Sequence, residues 1–182
     1  MLTVDFADFP TLCSTRLVLR EMTPADAPAL FSMRSDARVM EHIGRPRAST
    51  LQDAVDLQER IATDLAANSG ITWAIQLQDD PVMIGTIGYY RMKLEYHTAE
   101  VGYMLGADHW GKGYMSEALQ AVVQCGFDRF LFHRIEAITD PRNNASRKLL
   151  EKCGFSLEGI QRENFLWNGE FQDSTIYARL RG

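Results

Sequence analysis

The stretch that decides the fold, residues 100–117, reads EVGYMLGADHWGKGYMSE. Its first part alternates side chains up to Leu105 in the two-residue period of a β-strand. Its last part begins a run of apolar residues at helical spacing, which predicts an amphipathic helix from Gly113 to about Leu131. The apolar positions of that helix are Met115, Ala118, Leu119, Val122, Val123, Phe127 and Phe130. The stretch therefore predicts a strand, a glycine-bearing turn and a helix in direct succession.

The predicted helix starts without a capping side chain. No Ser, Thr, Asp or Asn stands just before Tyr114, and the tripeptide GKG at residues 111–113 takes that place. A helix start leaves about four backbone N–H groups without partners, and its dipole favours an anion there. Glycines let a ligand approach the backbone closely. The turn from Trp110 to Ser116 thus predicts a phosphate-binding site, with a plain tight connection solvated by water as the alternative.

Composition predicts one globular domain over residues 1–182, with 46% hydrophobic and 24% charged residues. A net charge of -5 argues against general nucleic-acid binding, because proteins of that class usually present a basic face. No apolar run approaches the roughly 20 residues that span a bilayer, and no signal peptide is recognisable. We therefore expect a cytoplasmic protein that binds neither nucleic acid nor membrane.

Cysteine and histidine spacing predicts neither a disulfide framework nor a metal site. Cys13, Cys125 and Cys153 are few and far apart. Cys125 and Cys153 fall among apolar helix positions or near a helix end, which favours buried free thiols and a reducing compartment. No two of the four histidines stand at the i, i+4 spacing of a helical metal site. We therefore expect no metal cofactor.

The rest of the chain predicts an α/β domain in the order β-α-α-α-β-β-β-α-β-α-β-β. Gly85 and Gly88 mark expected close backbone approaches within a strand, and Asn168-Gly169 is a strong hairpin signal. The sheet should be mostly antiparallel, with one parallel crossing around the helix after residue 113. The predicted strands are 16–20, 71–78, 82–92, 98–105, 134–139, 155–166 and 171–180, and the predicted helices are 23–33, 36–42, 49–67, 113–131 and 143–152.

Other phosphate-binding and hydrolytic patterns fit less well. The sequence GKGYMS at residues 111–116 resembles the dinucleotide-binding G-x-G-x-x-G, and Asp140 could serve as its ribose-binding acid. A doubly wound fold would repeat the βαβ unit, however, whereas hairpins follow Phe155. The G-x-x-x-x-G-K-[ST] phosphate loop and the G-x-S-x-G nucleophile elbow are both absent.

Three blocks in a fixed order carry a family resemblance. The first is AEVGYML at residues 99–105 with WGKGYMSEA at 110–118, and the second is NNAS at 143–146 with LEKCGF at 150–155. The third consists of Arg162, Glu163, Gly169, Asp173 and Tyr177. Together with TRLVLR at 15–20, these blocks resemble the GNAT superfamily of acetyl-CoA-dependent N-acetyltransferases, and most of all its branch that acetylates N-termini of ribosomal proteins. The resemblance implies a single-domain fold with a splayed central strand pair and helices on both sheet faces.

The resemblance also implies catalytic roles. Glu100 is the expected base, acting through water on an amine that is mostly protonated near neutral pH; a plain exposed strand residue is the alternative. Glu163 from the last hairpin is the rival base. The family's tyrosine acid is replaced by Leu150, so Ser146 is the expected acid, unless its hydroxyl simply bonds its own helix backbone.

The resemblance places acetyl-CoA along the strand and the turn. The pantetheine arm is expected to pair with the backbone of Met104 and Gly106, and a backbone N–H near Leu105 to stabilise the acetyl oxygen. Met115 departs from the family's small residue, so its side chain must point into the core. The residues implied to bind acetyl-CoA are Tyr103, Met104, Leu105, Gly106, Trp110, Gly111, Lys112, Gly113, Tyr114, Met115, Ser116, Asn143 and Ser146. Lys112 could equally be solvated, and Asn144 could be a plain start-of-helix residue.

The resemblance implies that the acceptor is a primary amine, and the resemblance to that branch implies a protein N-terminal α-amine. A small-molecule amine, an antibiotic or a lysine side chain is an alternative acceptor. A non-catalytic acyl-CoA-binding sensor on the same fold is the alternative from another functional class. Monomer and homodimer are both compatible with the sequence.

Overall fold

Strands and helices follow one another along residues 2–182, the part of the chain that this computed structural model describes. The strands are β1 (Leu12–Cys13), β2 (Leu17–Glu21), β3 (Ile71–Leu77), β4 (Asp80–Lys93), β5 (Thr98–Leu105), β6 (Arg134–Thr139), β7 (Ser156–Trp167) and β8 (Glu170–Leu180). The helices are α1 (Ala27–Ser35), α2 (Ala37–Met40), α3 (Leu51–Ala66), α4 (Tyr114–Asp128) and α5 (Asn144–Lys152). The predicted order is confirmed, with the two-residue strand β1 added before it.

One eight-stranded sheet organises the chain in the order β1-β2-β3-β4-β5-β6-β8-β7. Every neighbouring pair runs antiparallel except β5 and β6, which are parallel and joined through α4. A parallel pair needs such a crossover because its strands start at the same edge of the sheet. The predicted mixed sheet with one parallel crossing is therefore confirmed.

Helices cover both faces of the sheet. On one face α4 lies over the main core, where buried aromatic rings such as Trp73 and Tyr89 pack edge to face at 6.2 Å. Both rings also satisfy their polar atoms: the Trp73 indole donates to Pro10 O at 2.7 Å, and the Tyr89 hydroxyl donates to Val122 O at 2.8 Å. On the other face α1, α2 and α3 enclose a smaller core that includes Met104. Strand β5 thus lies between two packed layers.

The prediction of buried free thiols is confirmed for Cys125 and Cys153. Cys125 and Cys153 are buried and free, and burial raises the pKa of the Cys125 thiol to about 11. Cys13 is exposed and free. Within residues 2–182, no helix combines the length and apolar character required to cross a membrane.

The parallel pair β5–β6 separates soon after it forms. Thr98, Ala99 and Glu100 pair with Arg134, Ile135 and Glu136, and the ladder then ends although β5 continues to Leu105. Strand β6 continues as well, but its residues 137–139 pair only with β8. A wedge-shaped gap therefore opens between β5 and β6. The expected splayed strand pair is present.

Gly85 and Gly88 in β4 lie where a neighbouring strand comes too close for a side chain. A Cβ atom on Gly88 would lie 2.3 Å from Ile71 O, and one on Gly85 would lie 2.6 Å from Met104 O. Both contacts are with backbone atoms, which cannot turn away as a flexible side chain does. The predicted close approaches are confirmed.

We predict that Gly88→Ala lowers the free energy of unfolding by about 1–3 kcal/mol, because the added methyl group pushes β4 away from β3. Gly159→Ala is the matched control, since a Cβ there meets no atom within 4 Å; its change should stay within about 0.5 kcal/mol. Urea denaturation of both variants measures the difference. Equal losses would show that the close approach does not constrain the sheet.

Candidate active site

Two adjoining cavities open where β5 and β6 separate, the first between the two strands and the second between the end of β5, the turn before α4 and α5. The first, of about 420 Å³, includes Glu100 in its wall, and the second, of about 510 Å³, reaches the turn before α4. The residues that line both are His42, Ile43, Tyr103, Asn143 and Ser146. Because the cavities share this wall, a ligand on the turn and a ligand beside Glu100 would meet at Tyr103 and Ser146.

The turn before α4 presents unpaired backbone donors. Gly111 and Gly113 have φ values of +73° and +81°, and Gly113 is the N-cap residue with no side chain capping the helix. Among residues 2–182, no acceptor is found for the backbone N–H groups of residues 111–116. An anion therefore fits the turn, with N–H donors and the positive end of the α4 dipole directed at it.

Hydrogen bonds from neighbouring side chains hold this turn in place. The Trp110 indole donates to Leu105 O at 2.8 Å, and the Arg16 guanidinium donates to Lys112 O at 2.9 Å. Glu117 in the first turn of α4 accepts from Ser14 and from Arg16, whose guanidinium also stacks over the Tyr114 ring at 4.7 Å. The turn is thus fixed without use of the backbone N–H groups of residues 111–116, which stay free for a ligand.

The side chain of Met115 points into the core, as predicted. It is 8% exposed and belongs to the main core, so only its backbone faces the turn. Lys112, in contrast, is exposed and does not line the second cavity; the lysines that do are Lys148 and Lys152 on α5. Their i, i+4 spacing is visible in the sequence, but only the packing of α5 beside the turn shows their relevance.

One further residue in the second cavity was missed. The Nδ1 atom of His109 is buried and has no hydrogen-bond partner among the described residues. A buried ring nitrogen without a partner is costly unless a ligand or water supplies one. The His109 ring lines the second cavity, but the Nδ1 atom itself is covered by protein, so it is not offered to a molecule there.

The direction of the β5 backbone corrects the expected pairing of the pantetheine arm. The Gly106 N–H donates to Ile84 O at 2.9 Å, so it is already used by the β4 side. Hydrogen-bonded pairs alternate in an antiparallel ladder, which turns the Met104 backbone toward its partner Thr86 as well. The expected pairing with Met104 and Gly106 is therefore wrong. The N–H groups of Tyr103 and Leu105 face the gap instead.

Glu100 is not the exposed strand residue of the alternative interpretation. Its side chain is 12% exposed, lines the first cavity and accepts a hydrogen bond from Arg91 Nη2 at 2.6 Å. Burial raises the pKa of Glu100 above its usual value, although the Arg91 charge acts in the opposite direction. Glu100 and Tyr103 project from opposite faces of β5, because side chains alternate along a strand.

Glu163 does not reach either cavity. It is exposed with φ of +50°, in a bulge of the β7–β8 ladder between Gln161 and Phe165. The bulge turns Asn164 and Phe165 toward the first cavity instead. The Glu163 backbone N–H donates to Asp173 Oδ1 at 2.8 Å. The geometry thus gives no support to Glu163 as the rival base.

Ser146 makes a contact that its sequence position did not predict. Its hydroxyl lies 2.7 Å from the Tyr103 hydroxyl, so it is not bonded to its own helix backbone. Asn143 caps α5 by accepting from the Ser146 N–H at 2.9 Å, which gives Asn143 the start-of-helix role that was considered for Asn144. Leu150, in the family's tyrosine slot, is fully buried.

A histidine–aspartate contact closes the other side of the first cavity. His42 Nδ1 lies 3.3 Å from Asp140 Oδ2, and both residues line this cavity. Burial alone would raise the pKa of Asp140, but hydrogen bonds from Arg142 and His42 hold it below its usual value. Spacing in the sequence does not predict this contact: it offers Asp140 only as a candidate ribose-binding acid and the histidines only as possible metal ligands.

We predict that Glu100→Gln stabilises the protein at neutral pH. Because the folded-state pKa of Glu100 is raised, its contribution to stability is present below the unfolded pKa and is lost as pH rises through the folded one. The glutamine variant avoids that loss. Its free energy of unfolding should exceed that of the wild type at about pH 7.5, and the gain should shrink toward about pH 4.

Urea denaturation at the two pH values tests this, with Glu163→Gln as the exposed control that should change by less than about 0.5 kcal/mol. A Glu100→Gln difference of the same size at both pH values would contradict the role of ionisation.

Comparisons with known proteins agree with this geometry. A family model described as "Acetyltransferase (GNAT) domain" matches residues 16–156. The uncharacterized N-acetyltransferase YoaA of Bacillus subtilis (strain 168) is 34% identical over 173 residues, covering 95% of this chain and 98% of that protein. The ribosomal-protein-serine acetyltransferase of Escherichia coli (strain K12) is 32% identical over 98 residues, covering 54% and 55%. A crystal structure of a GNAT-family acetyltransferase from Bacillus anthracis superposes with a TM-score of 0.84 at 27% identity, covering 94% and 98%.

Proposed function

This chain belongs to the GNAT family and is an acetyl-CoA-dependent N-acetyltransferase, and we propose that its acceptor is a protein N-terminal α-amine. The observation that carries the proposal is a shielded carboxylate, Glu100, in a cavity that continues to the anion-binding turn. The first cavity also offers Asn164, Ser174 and Asp140, which can bond the N–H and C=O groups of an extended peptide. The E. coli relative named as a ribosomal-protein-serine acetyltransferase supports the same acceptor class.

The second cavity suits the coenzyme part of acetyl-CoA. The backbone N–H groups of residues 111–116 would hold the pyrophosphate, with Lys148 and Lys152 supplying positive charge beside it. The N–H groups of Tyr103 and Leu105, which face the gap, would bond the pantetheine arm as a neighbouring strand does. When bound, acetyl-CoA supplies an acetyl group activated as a thioester. The residues present therefore fit the pyrophosphate and pantetheine parts of the molecule.

Glu100 is proposed as the proton acceptor for the amine. An α-ammonium has a pKa of about 7.7–8.0, so near neutral pH it must lose a proton before its nitrogen can attack. The Glu100 carboxylate takes that proton, directly or through one water, and releases it to solvent. The neutral nitrogen then attacks, and as the C–N bond forms and the C–S bond breaks, the nitrogen gives its second proton to the same carboxylate. The raised pKa of Glu100 lies closer to the pKa of the α-ammonium group, which makes proton transfer from the ammonium to the carboxylate less unfavourable.

The acceptor proposal is tested with matched peptides. One carries a free N-terminal serine or alanine and no lysine, a second has a blocked N-terminus and an internal lysine, and a small primary amine serves as the third acceptor. We expect kcat/KM for the free N-terminus to exceed that for the lysine peptide by at least about tenfold, which mass spectrometry and thiol release measure.

Equal or faster reaction of the lysine peptide or the small amine would contradict the proposal. Tight acetyl-CoA binding with no turnover of any amine would favour the acyl-CoA sensor. Within the same assays, Glu100→Gln should lower kcat and Glu163→Gln should not, since only Glu100 lines the cavity.

We predict that Gly113→Val weakens acetyl-CoA binding by more than about tenfold. A Cβ atom on Gly113 would lie 3.4 Å from the Arg16 guanidinium that holds the turn, so a β-branched side chain there displaces the backbone that presents the N–H donors. Bonds from such donors to charged groups are worth about 1.5–3 kcal/mol each. The φ of +81° at Gly113 also makes the substitution strain the backbone by about 1–2 kcal/mol. Titration calorimetry with acetyl-CoA measures the affinity.

Gly169→Val controls for strain alone. Gly169 has φ of +82° and lines neither cavity, and a Cβ atom at this position would have no neighbour within 4 Å. Both variants should lose stability, and only Gly113→Val should lose affinity. Unchanged affinity in Gly113→Val would overturn the phosphate-binding role of the turn.

A further inference from the structure

Two hydroxyl groups meet at the wall shared by the two cavities. The Tyr103 hydroxyl and the Ser146 Oγ are 2.7 Å apart, and neither has another hydrogen-bond partner within residues 2–182. The Tyr103 ring packs against the main core and Ser146 lies in the first turn of α5, whose cap Asn143 fixes its backbone. The pair is therefore held from both sides.

The chemistry of the two groups sets the direction of this hydrogen bond. A phenol, with a pKa of about 10, is far more acidic than an alcohol, so the phenol is the better donor and the alcohol oxygen the better acceptor. Tyr103 then donates to Ser146, and the Ser146 proton has no acceptor within the pair. That proton is the one left to point into the gap.

The acidities also decide what the pair can do for a departing thiolate. An alkyl thiol has a pKa of about 8.5, below that of a free phenol. Burial raises the pKa of Tyr103 further. A thiolate cannot take a proton from either hydroxyl to a useful extent, although both can form a hydrogen-bond chain that ends on it. The expectation that Ser146 acts as an acid is thereby replaced by hydrogen-bond donation.

We propose that Tyr103 is a positioning residue: its phenol donates to Ser146, directs the serine proton into the gap, and lets the pair stabilise the coenzyme A thiolate without transferring a proton. The proposal rests on the proposed function, because it requires the thioester sulfur to lie beside Ser146. The thiolate leaves with the electron pair of the broken C–S bond and takes its proton from water.

The experiment measures the thiol pKa of bound coenzyme A from the ultraviolet absorbance of the thiolate during a pH titration. The complex should show a pKa below that of free coenzyme A. Tyr103→Phe should raise it by about one unit, the equivalent of one tenfold change, and Ser146→Ala by at least as much. Tyr177→Phe is the control, because its hydroxyl bonds Glu151 of the same helix at 2.9 Å but lines neither cavity.

Kinetics provide the second readout. Tyr103→Phe should lower kcat about tenfold with little change in the KM for acetyl-CoA, and the double variant should be no slower than Ser146→Ala, because Tyr103 acts through Ser146. The pH profile should keep its shape in Tyr103→Phe, since no proton is transferred. Tyr177→Phe should keep the wild-type kcat.

Three results would overturn the proposal. They are an unchanged thiol pKa in Tyr103→Phe, additive losses in the double variant, or a high-pH decline of the wild type that disappears in Tyr103→Phe. The titration needs no acceptor amine. If no peptide is acetylated but Tyr103→Phe raises the thiol pKa, the acceptor proposal is rejected and the Tyr103 role is kept. If the peptide with a free N-terminus reacts but the thiol pKa does not change in Tyr103→Phe, the acceptor proposal is kept and the Tyr103 role is rejected.

Discussion

The functional part of the molecule depends on the early end of the β5–β6 ladder. Past Glu100 the parallel strand no longer uses the β5 backbone, and the N–H groups of Tyr103 and Leu105 are left facing a gap. Backbone donors inside a protein are rarely left unpaired, so such a gap is suited to an extended polar ligand. Because β5 carries Glu100 toward one helical layer and Tyr103 toward the other, the same separation brings both faces of the sheet to one cleft.

Around the gap, hydrogen bonds between protein groups fix the segments that face the ligand. Arg16 and Trp110 hold the turn before α4, and Asn143 holds the first turn of α5. These bonds form within the protein itself, so the ordering cost is met before any ligand arrives. Glu100 is the exception, because burial of its carboxylate opposes ionisation and Arg91 compensates only in part. A destabilised charge at this place is consistent with a group that must exchange protons.

Much of the architecture was predictable, because each buried face imposes its own period on the sequence. Strand β1 was missed since two residues are too short to carry a period. The contacts that define the site were less predictable. Tyr103 and Ser146 are 43 residues apart, and only the packing of α5 brings them together. Glu163 was misplaced because a bulge, which no period reveals, reverses the direction of its side chain. The hydrogen bond from the Gly106 N–H to β4 depends on the register of the β4–β5 ladder, which the sequence alone does not show.

The position of Trp110 has a practical consequence. Its indole ring is 48% exposed and lies in the wall of the second cavity, whereas Trp73 is fully buried and Trp167 belongs to the β7–β8 hairpin. Fluorescence of an indole responds to the polarity and charge of its surroundings, and the hydrogen bond to Leu105 keeps this ring in one place. The protein thus carries an intrinsic optical probe at the turn, which could follow the arrival and departure of a coenzyme in real time without a label.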